Sequence, residues 1–372
     1  MKKLLLFNPE NDISLGYGKC RFTMSPLVKK LHDDGAMLPM WYAMSGDCVY
    51  ANDVDARWLE EMSDMFGVDV SAGLSGQGCI GSPWGWSCDS MMTLKNVGAV
   101  VPDEMHIECI RQLSHRRTTI DVMNKLHQML DFEIADVPVE ADSIERVDDC
   151  LSKWGRVYIK SPWSSSGRGV FEIDSLDERT VQRVNSIIRK QGCVLVERAY
   201  NCKRDFAMLF HSTPSGVEFF GYSVFFNERG NAYGGNIMSD NDALEDIIVA
   251  SGANKSQLTA VSSALTAVFT GLIAPVYTGY FGVDMIITRE GMINPCVEIN
   301  LRMTMGVVAS IWYARYMSPK SQGIFRVKYE QDEELLPRSF PSVVNGRLVS
   351  GVVNLTPPKR DGFNFTVETL EV

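Results

Sequence analysis

Histidine is scarce in this 372-residue chain, and several other shortages narrow its chemistry. Five histidines stand at positions 32, 106, 115, 127 and 211, with no HExxH and no paired spacing. They are expected to be structural or superficial, and no convincing Ser/His/Asp arrangement can be built from them. No two of the nine cysteines (20, 48, 79, 88, 109, 150, 193, 202 and 296) fall in a CxxC or Cys/His zinc spacing. Their odd number reads most simply as mostly free thiols in a reducing, cytoplasmic compartment. Positive charge is in deficit. The 36 Lys and Arg against 46 Asp and Glu give a net charge of −10, which argues against nucleic acid or an anionic membrane as partner. A local basic pocket for a phosphorylated ligand stays compatible with that balance. Long apolar runs are missing too. After Lys2-Lys3 only Leu4 to Phe7 are apolar before Asn8-Pro9-Glu10, so no signal peptide is expected. Ser256 to Val283 carries no charge, yet it holds six Ser/Thr before Leu272, and Pro275, and loses its apolar period midway. A buried helix followed by a buried strand fits that stretch better than a membrane span. Repeats and low-complexity tracts are absent.

What is present is a large folded chain. Its 45% hydrophobic and 22% charged residues exclude a disordered protein, and its length calls for two or three lobes. Leu4 to Phe7 reads as a short buried strand. Ser25-Pro26 supplies an N-cap and first-turn proline for a helix running to Gly35, with Leu27, Val28 and Leu31 inward. Asp55 to Gly67 repeats the idea with Trp58, Leu59, Met62 and Met65 inward. Gly73 to Ser90, rich in Gly, Ser, Trp and Cys, reads as a long surface loop pinned by Trp84 and Trp86. Ser114-His115-Arg116-Arg117 opens a helix carrying Ile120, Met123, Leu126 and Leu130 on one side. Strands at 157–160 and 170–173 then flank a Gly/Ser loop, and a helix with Val181, Val184, Ile187 and Ile188 stops at Gly192. A third section begins at Val194 to Glu197. It continues with strands near Phe206 to Phe210 and Val217 to Phe226, a long helix through Leu258 to Leu272, and strands at 280–288 and 296–302. Arg347 to Leu355 is strand-like.

Three constellations carry chemistry. Ser164-Ser165-Ser166-Gly167-Arg168-Gly169 sits between two apolar strands, where small residues let backbone N–H groups approach an anion and Arg168 adds a cation. Lys160 ends the preceding strand. The loop is neither a Walker A sequence nor a kinase loop, and an ordinary hairpin turn is the competing reading. The second constellation is better constrained. Strands at 280–287 and 296–302 form a hairpin turning near Gly291, so paired positions sum to about 582 and Asp284 falls opposite Glu298. Pro295 is a candidate bulge that could shift this register. Glu298, Asn300 and Arg302 share one face. Two carboxylates and an amide oxygen without His or Cys suit a hard cation such as Mg²⁺ held together with nucleotide phosphates; the alternative is a solvated face with an Asp–Arg or Glu–Arg pair. The third is Val194 to Ala199 followed by Asp205, an apolar strand entering a new lobe. It could seat a flat base, or Glu197 could simply be a salt-bridge partner.

In that order the parts resemble the ATP-grasp superfamily, over about Ser114 to Gly306. The resemblance implies an α/β and α+β architecture. An N-terminal α/β domain of the kind preceding that fold (1–112) leads to a central lobe (113–192), a C-terminal lobe with the metal site (193–318) and a β-rich extension (319–372). It also implies roles. Lys160 and Arg116 would touch phosphates or base, and the loop Ser164, Ser165, Ser166, Gly167, Arg168, Gly169 and Val170 would close on the β- and γ-phosphates of ATP. Glu197 and the Ala199 backbone would meet adenine. Asp205 would take the ribose, where the family usually has Glu. Asp284, Glu298 and Asn300 would hold Mg²⁺ (or Mn²⁺), and Arg302 would steady acyl-phosphate oxygens, with Lys160 and Arg168 as further catalytic cations. The implied activity is ATP- and magnesium-dependent ligation of a small-molecule carboxylate to an amine or thiol. A kinase on the same scaffold and a nucleotide-binding module without turnover are the alternatives, the latter disfavoured by the intact Asp284/Glu298/Asn300 set. Loops at Asn8 to Arg21 and Trp84 to Trp86 would face the acceptor, and a homodimer is left open.

Overall fold

The structure, a computed structural model, describes residues 2–164, 169–227, 233–331 and 340–370. Ser165, Ser166, Gly167 and Arg168 of the candidate phosphate loop lie outside the described residues. The chain divides into two compact units, both discontinuous in sequence. One comprises Met1–Ile107, Ser223–Leu244 and Arg302–Val372; the other comprises Glu108–Tyr222 and Glu245–Leu301.

The first unit contains a four-stranded parallel sheet in the order Ser71–Gly73, Cys48–Tyr50, Lys3–Leu6, Ile80–Pro83. Leu4, Leu5 and Leu6 are all buried, as a strand covered on both faces requires. Chain order reverses between Lys3–Leu6 and Ile80–Pro83, which makes the carboxyl ends of these two neighbours the switch point of the sheet, where parallel α/β sheets place ligands. The stretch expected to be a surface loop over 73–90 instead supplies strand Ile80–Pro83 and the start of helix Cys88–Asn96, with Trp84 buried. Ile-Gly-Ser-Pro carries no apolar alternation, because its ladder partner Lys3–Leu6 provides the core. The helix start is written in Ser87 and Ser90, which form a reciprocal capping box.

Helix Pro26–Asp34 begins where Ser25-Pro26 predicts, but Leu27 is half exposed and Val28 carries the burial. In Ala56–Phe66 the Asp55 carboxylate accepts from the Trp58 N–H, and Gly67 ends the helix at φ +69°. Phe66, not Met65, is the third inward residue after Trp58 and Met62. It joins Trp41, Trp312 and Tyr316, whose rings meet Trp41 5.4–6.0 Å between centroids. Strand Gln322–Glu330 pairs along nine positions with Gly362–Leu370. Cys20 and Cys88 form a disulfide with Cα atoms 5.0 Å apart, and the other seven cysteines are free.

The second unit begins with a four-stranded antiparallel sheet in the order Val139–Ala141, Val194–Arg198, Val157–Lys160, Val170–Ile173. Helices Ile144–Trp154 and Glu178–Gln191 cover it, with Val147, Val157, Ile159, Val184, Val194 and Val196 as its core. Of the expected inward set on the later helix, Val184 is fully buried while Ile187 and Ile188 pack at its margin. Strands Cys202–Thr213, Gly279–Thr288 and Ile293–Asn300 form a second antiparallel array, and helix Lys255–Leu272 follows the uncharged stretch. No helix among the described residues is long and apolar enough to cross a membrane.

Residues 114–117 lead into helix Thr118–Met129, with Arg117 at its N-cap and the His115, Arg116 and Arg117 carbonyls accepting from the N–H groups of Thr118, Thr119 and Ile120. They form the turn between Glu104–Leu113, a helix the sequence reading missed, and Thr118–Met129. The Arg116 N–H donates to the Pro162 carbonyl and the Arg117 N–H to His115 Nδ1, and these bonds replace helical ones.

Candidate active site

The hairpin register is the one the Gly291 turn predicts. Gly282 pairs with Asn300, Val283 with Ile299 and Asp284 with Glu298; beyond a bulge the sum falls to 580 at Ile286 and Asn294. Asp284 and Glu298 are therefore direct cross-strand neighbours. Asn300, on the face of Glu298, stands opposite Gly282 and donates from Nδ2 to Asp284 Oδ2 at 3.0 Å. Two carboxylates and an amide thus converge on one patch. Among the described residues no three His, Cys, Asp or Glu side chains cluster as metal ligands, so any cation here would rest on this oxygen set.

Two buried cations stand at this patch. Lys160, 5% exposed at the end of its strand, donates from Nζ to Glu197 Oε2 at 2.5 Å and to the Val297 carbonyl at 3.2 Å. Glu197 is thus an ion-pair partner in this structure, and it sits opposite Tyr158 on the paired strand. Arg116, equally buried, donates from Nη1 to the Ser161 carbonyl and Ser164 Oγ, both at 2.6 Å, and from Nη2 to Glu298 Oε1 at 2.6 Å. The Ala199 N–H continues the ladder by donating to the Arg156 carbonyl at 3.0 Å.

The near end of the phosphate loop is defined on both sides. Val170 pairs with Lys160, and the Gly169 carbonyl accepts from the Ser161 N–H at 2.8 Å. At φ +77° Gly169 lies so close to Ser161 that a Cβ would come 2.6 Å from its Oγ, so the position demands glycine. Asp205 lies opposite Ile286, and burial raises its carboxyl pKa against the lowering effects of the Cys202 thiol and Arg204. Cys296 is buried beside the Glu197 and Asp284 carboxylates, and burial with these charges outweighs Lys160 to hold its thiol well above the ordinary range. It stays protonated at neutral pH and is no nucleophile.

In the first unit, Arg302 Nε and Nη2 both donate to Asp12 Oδ2, at 2.8 and 2.7 Å, while Nη1 donates to the Met303 carbonyl. The two loops expected to face the acceptor meet at the sheet's switch point. Asn8 Nδ2 donates to the Gly85 carbonyl at 2.8 Å and the Gly85 N–H returns the bond to Asn8 Oδ1 at 3.2 Å. Asn11, with its amide turned to satisfy its neighbours, donates to the Gly85 and Trp86 carbonyls. A Cβ at residue 85 would stand 2.4 Å from the Asn11 side chain. Sequence reasoning named this region but not Asp12, whose partner lies 290 residues away. It also passed over Ser161, although that residue directly follows Lys160.

His115 is structural. Its ring lies edge-on to Trp163 at 4.4 Å, and burial, with the Arg117, Arg111 and Arg116 charges, lowers its pKa to about 4. The folded value lies below the unfolded value near 6.5, so the unfolded chain binds more protons between the two. This contribution to stability is full above pH 6.5 and is lost as the pH falls toward 4. Urea unfolding at pH 7 and pH 5 should show about 2 kcal/mol of acid destabilisation from this group, and His115→Gln should remove that part. An unchanged pH slope in the variant would refute the assignment.

No protein-family model matches the chain, and no curated protein matches it. Solved structures do. N5-carboxyaminoimidazole synthetase from Staphylococcus aureus, complexed with ADP, superposes with a TM-score of 0.53 at 13% identity, covering 100% of this chain and 95% of that one. A β,γ-ATP complex of biotin carboxylase from Campylobacter jejuni gives 0.58 at 12% identity, covering 100% and 88%. The biotin carboxylase domain of Hydrogenobacter thermophilus 2-oxoglutarate carboxylase, solved with MgADP, ADP and bicarbonate, gives 0.53 at 12% identity, covering 100% and 86%. These are ATP-grasp enzymes, and the chain has the fold of the ATP-grasp superfamily.

Proposed function

We propose that the chain is an ATP-dependent ligase that activates a small-molecule carboxylate as an acyl phosphate for attack by an amine or thiol. The observation that carries this reading is the convergence of Asp284, Glu298 and Asn300 on one hairpin, with the buried cations Lys160 and Arg116 beside them. The nucleotides in the solved neighbours support ATP as the phosphoryl donor.

Phosphoryl transfer to a carboxylate brings two anions together, and the barrier is lowered by groups that neutralise the charge spreading over the transferring oxygens. The three oxygen donors fit Mg²⁺ or Mn²⁺, which when bound would offset charge on the phosphate oxygens. Lys160 would turn part of its charge from Glu197 toward a phosphate. Arg116, already bonded to Ser161 and Ser164, would hold the start of the loop as Ser164 to Val170 close over the nucleotide. Glu197 and the Ala199 backbone would border the base, and Asp205 would accept from a ribose hydroxyl. Within the first unit, Arg302, oriented by Asp12, is the group proposed for the acyl oxygens, and the loops at Asn8 and Trp84 to Trp86 are those proposed for the acceptor. No nucleophilic side chain is needed, in keeping with the protonated thiol of Cys296.

The test is ADP release from ATP and Mg²⁺ with a panel of amino acids, dipeptides, other small acids and bicarbonate, each with and without ammonia, amines and thiols. Release that requires both an acid and an acceptor is expected. A phosphorylated product without an acceptor would replace this reading with a kinase, and nucleotide binding without hydrolysis would leave only a binding module.

A further inference from the structure

One of the histidines expected to be structural or superficial is held by a carboxylate at the switch point of the first unit. His32 Nδ1 lies 3.2 Å from Glu10 Oε2, with the histidine side chain 19% exposed and that of the glutamate 7%. Glu10 stands at the N-cap of helix Asn11–Tyr17, and its carbonyl accepts from the Ile13 and Ser14 N–H groups, both at 3.0 Å. Its neighbours Asn8 and Asn11 are the residues bonded to Gly85. His32 comes from helix Pro26–Asp34, whose closing Gly35 lies against Phe7 so closely that a Cβ would collide with the ring. The last turn of this helix is thereby brought down on the carboxyl end of strand Lys3–Leu6. The other charges of the helix are turned elsewhere. Lys29 meets Asp33 at 2.5 Å, Lys30 lies 4.0 Å from Asp361, and Asp34 accepts from the Phe363 N–H at 2.9 Å.

A carboxylate can only accept, so Nδ1 carries the proton of the neutral ring and Nε2 keeps its lone pair. Among the described residues Nε2 has no hydrogen-bond partner. We propose that His32 is the general base of the ligation step, oriented by Glu10, and that its Nε2 takes the proton an acceptor amine loses on attack. This rests on the ligase reading given above and concerns only its second half, after the acyl phosphate has formed. The amine lone pair makes the new C–N bond, and the C–O bond to the phosphate breaks with its electron pair leaving on inorganic phosphate. The proton shed by the nitrogen passes to Nε2, and the imidazolium returns it to solvent. The pairing suits this task better than it suits stability. Attraction between the shielded carboxylate and a neutral ring is modest, but it becomes a full ion pair once the ring is protonated. Glu10 therefore stabilises the charge that develops during attack more than it stabilises the resting state.

The experiment compares two reactions of the full chain in wild type, His32→Gln and Glu10→Gln. The first is complete ligation, read as ADP release with the acid and amine of the panel above that react fastest. The second uses the same acid without the amine, and reads acyl-phosphate formation as movement of ¹⁸O between the β,γ-bridge and the non-bridging oxygens of ATP. His32→Gln should lower ligation by about 100-fold or more while leaving the isotope exchange at the wild-type rate. Glu10→Gln, which removes a positioning residue, should lower ligation by about tenfold or more and likewise spare the exchange. A purely structural role would lower both reactions together. Parallel loss of the two, or ligation within about threefold of wild type in a folded His32→Gln protein, overturns the proposal.

A measurement on the wild type covers the case in which the variants do not fold. Imidazole ¹⁵N NMR at alkaline pH should show the neutral His32 ring with its proton on Nδ1 and a bare Nε2. A proton on Nε2 refutes the assignment, because that nitrogen could not then accept one. The isotope exchange also separates the two readings. If the wild type shows no exchange with any acid of the panel, the ligase reading is wrong and this proposal falls with it. If exchange depends on the acid while His32→Gln ligates normally, only the role of His32 is wrong.

Discussion

Glu298→Gln should lose ATP turnover by about 10²–10³-fold or more while folding as the wild type does. The substitution keeps the volume and retains an oxygen that can accept from Arg116 Nη2, so the bond now at 2.6 Å has a successor. What disappears is one of two carboxylate charges facing each other across the hairpin. A hard cation held by oxygen donors depends on that charge far more than on the shape of the ligand. Asp284→Asn should behave alike, since Asp284 supplies the second carboxylate. The measurements are initial rates of ADP release with the best substrate pair, and the thermal midpoint of each variant. Turnover within tenfold of the wild type in a normally folded Glu298→Gln protein would sink the assignment. A lost midpoint together with lost turnover would shift the test to Asp284→Asn.

The largest effect on stability is expected at Lys160. Its ammonium group and the Glu197 carboxylate lie 2.5 Å apart, with side chains 6% and 10% exposed. Lys160→Met would strand a buried carboxylate, at a cost of about 3–5 kcal/mol. Removing both charges is another matter. In Lys160→Met/Glu197→Leu neither group is left unpaired, and the double variant should recover most of the loss, to within about 1–2 kcal/mol of the wild type. Urea unfolding followed by tryptophan fluorescence would compare the three proteins. A double variant as unstable as the single one would show that Lys160 acts through the Val297 carbonyl and local packing instead of through Glu197. The recovered protein should still fail to turn over ATP, because the pair would have been kept for chemistry and not for stability.

The hairpin was the most legible part of the site, and the reason is physical. A turn at Gly291 fixes cross-strand pairing by counting, so Asp284 opposite Glu298 follows from local chain geometry alone. The strands at 157–160 and 170–173 were readable too, as apolar runs on either side of the Gly/Ser loop, though not their register. Failure came where partners are distant or patterns are borrowed. Asp12 has nothing beside it in sequence to signal Arg302. Ile80–Pro83 lacks strand patterning because its partner Lys3–Leu6 supplies the buried side chains. The Glu104–Leu113 helix went unseen, since the bonds that separate it from Thr118–Met129 come from Pro162 and a histidine ring. Leu27 and Met65 were misassigned by a single step around their helices.

The discontinuity of the second unit has a consequence during synthesis. Strand Cys202–Thr213 pairs through most of its length with Gly279–Thr288, which leaves the ribosome about 75 residues later. At typical elongation rates that edge waits roughly 4–15 s without its neighbour. It is a long strand with Phe206, Met208, Leu209 and Phe210 buried in the finished protein, the kind of edge on which nascent chains pair with one another. The cation hairpin is thus also the piece that closes an aggregation-prone edge, and a transcript that stalls before codon 288 should yield an insoluble fragment, not a smaller folded one.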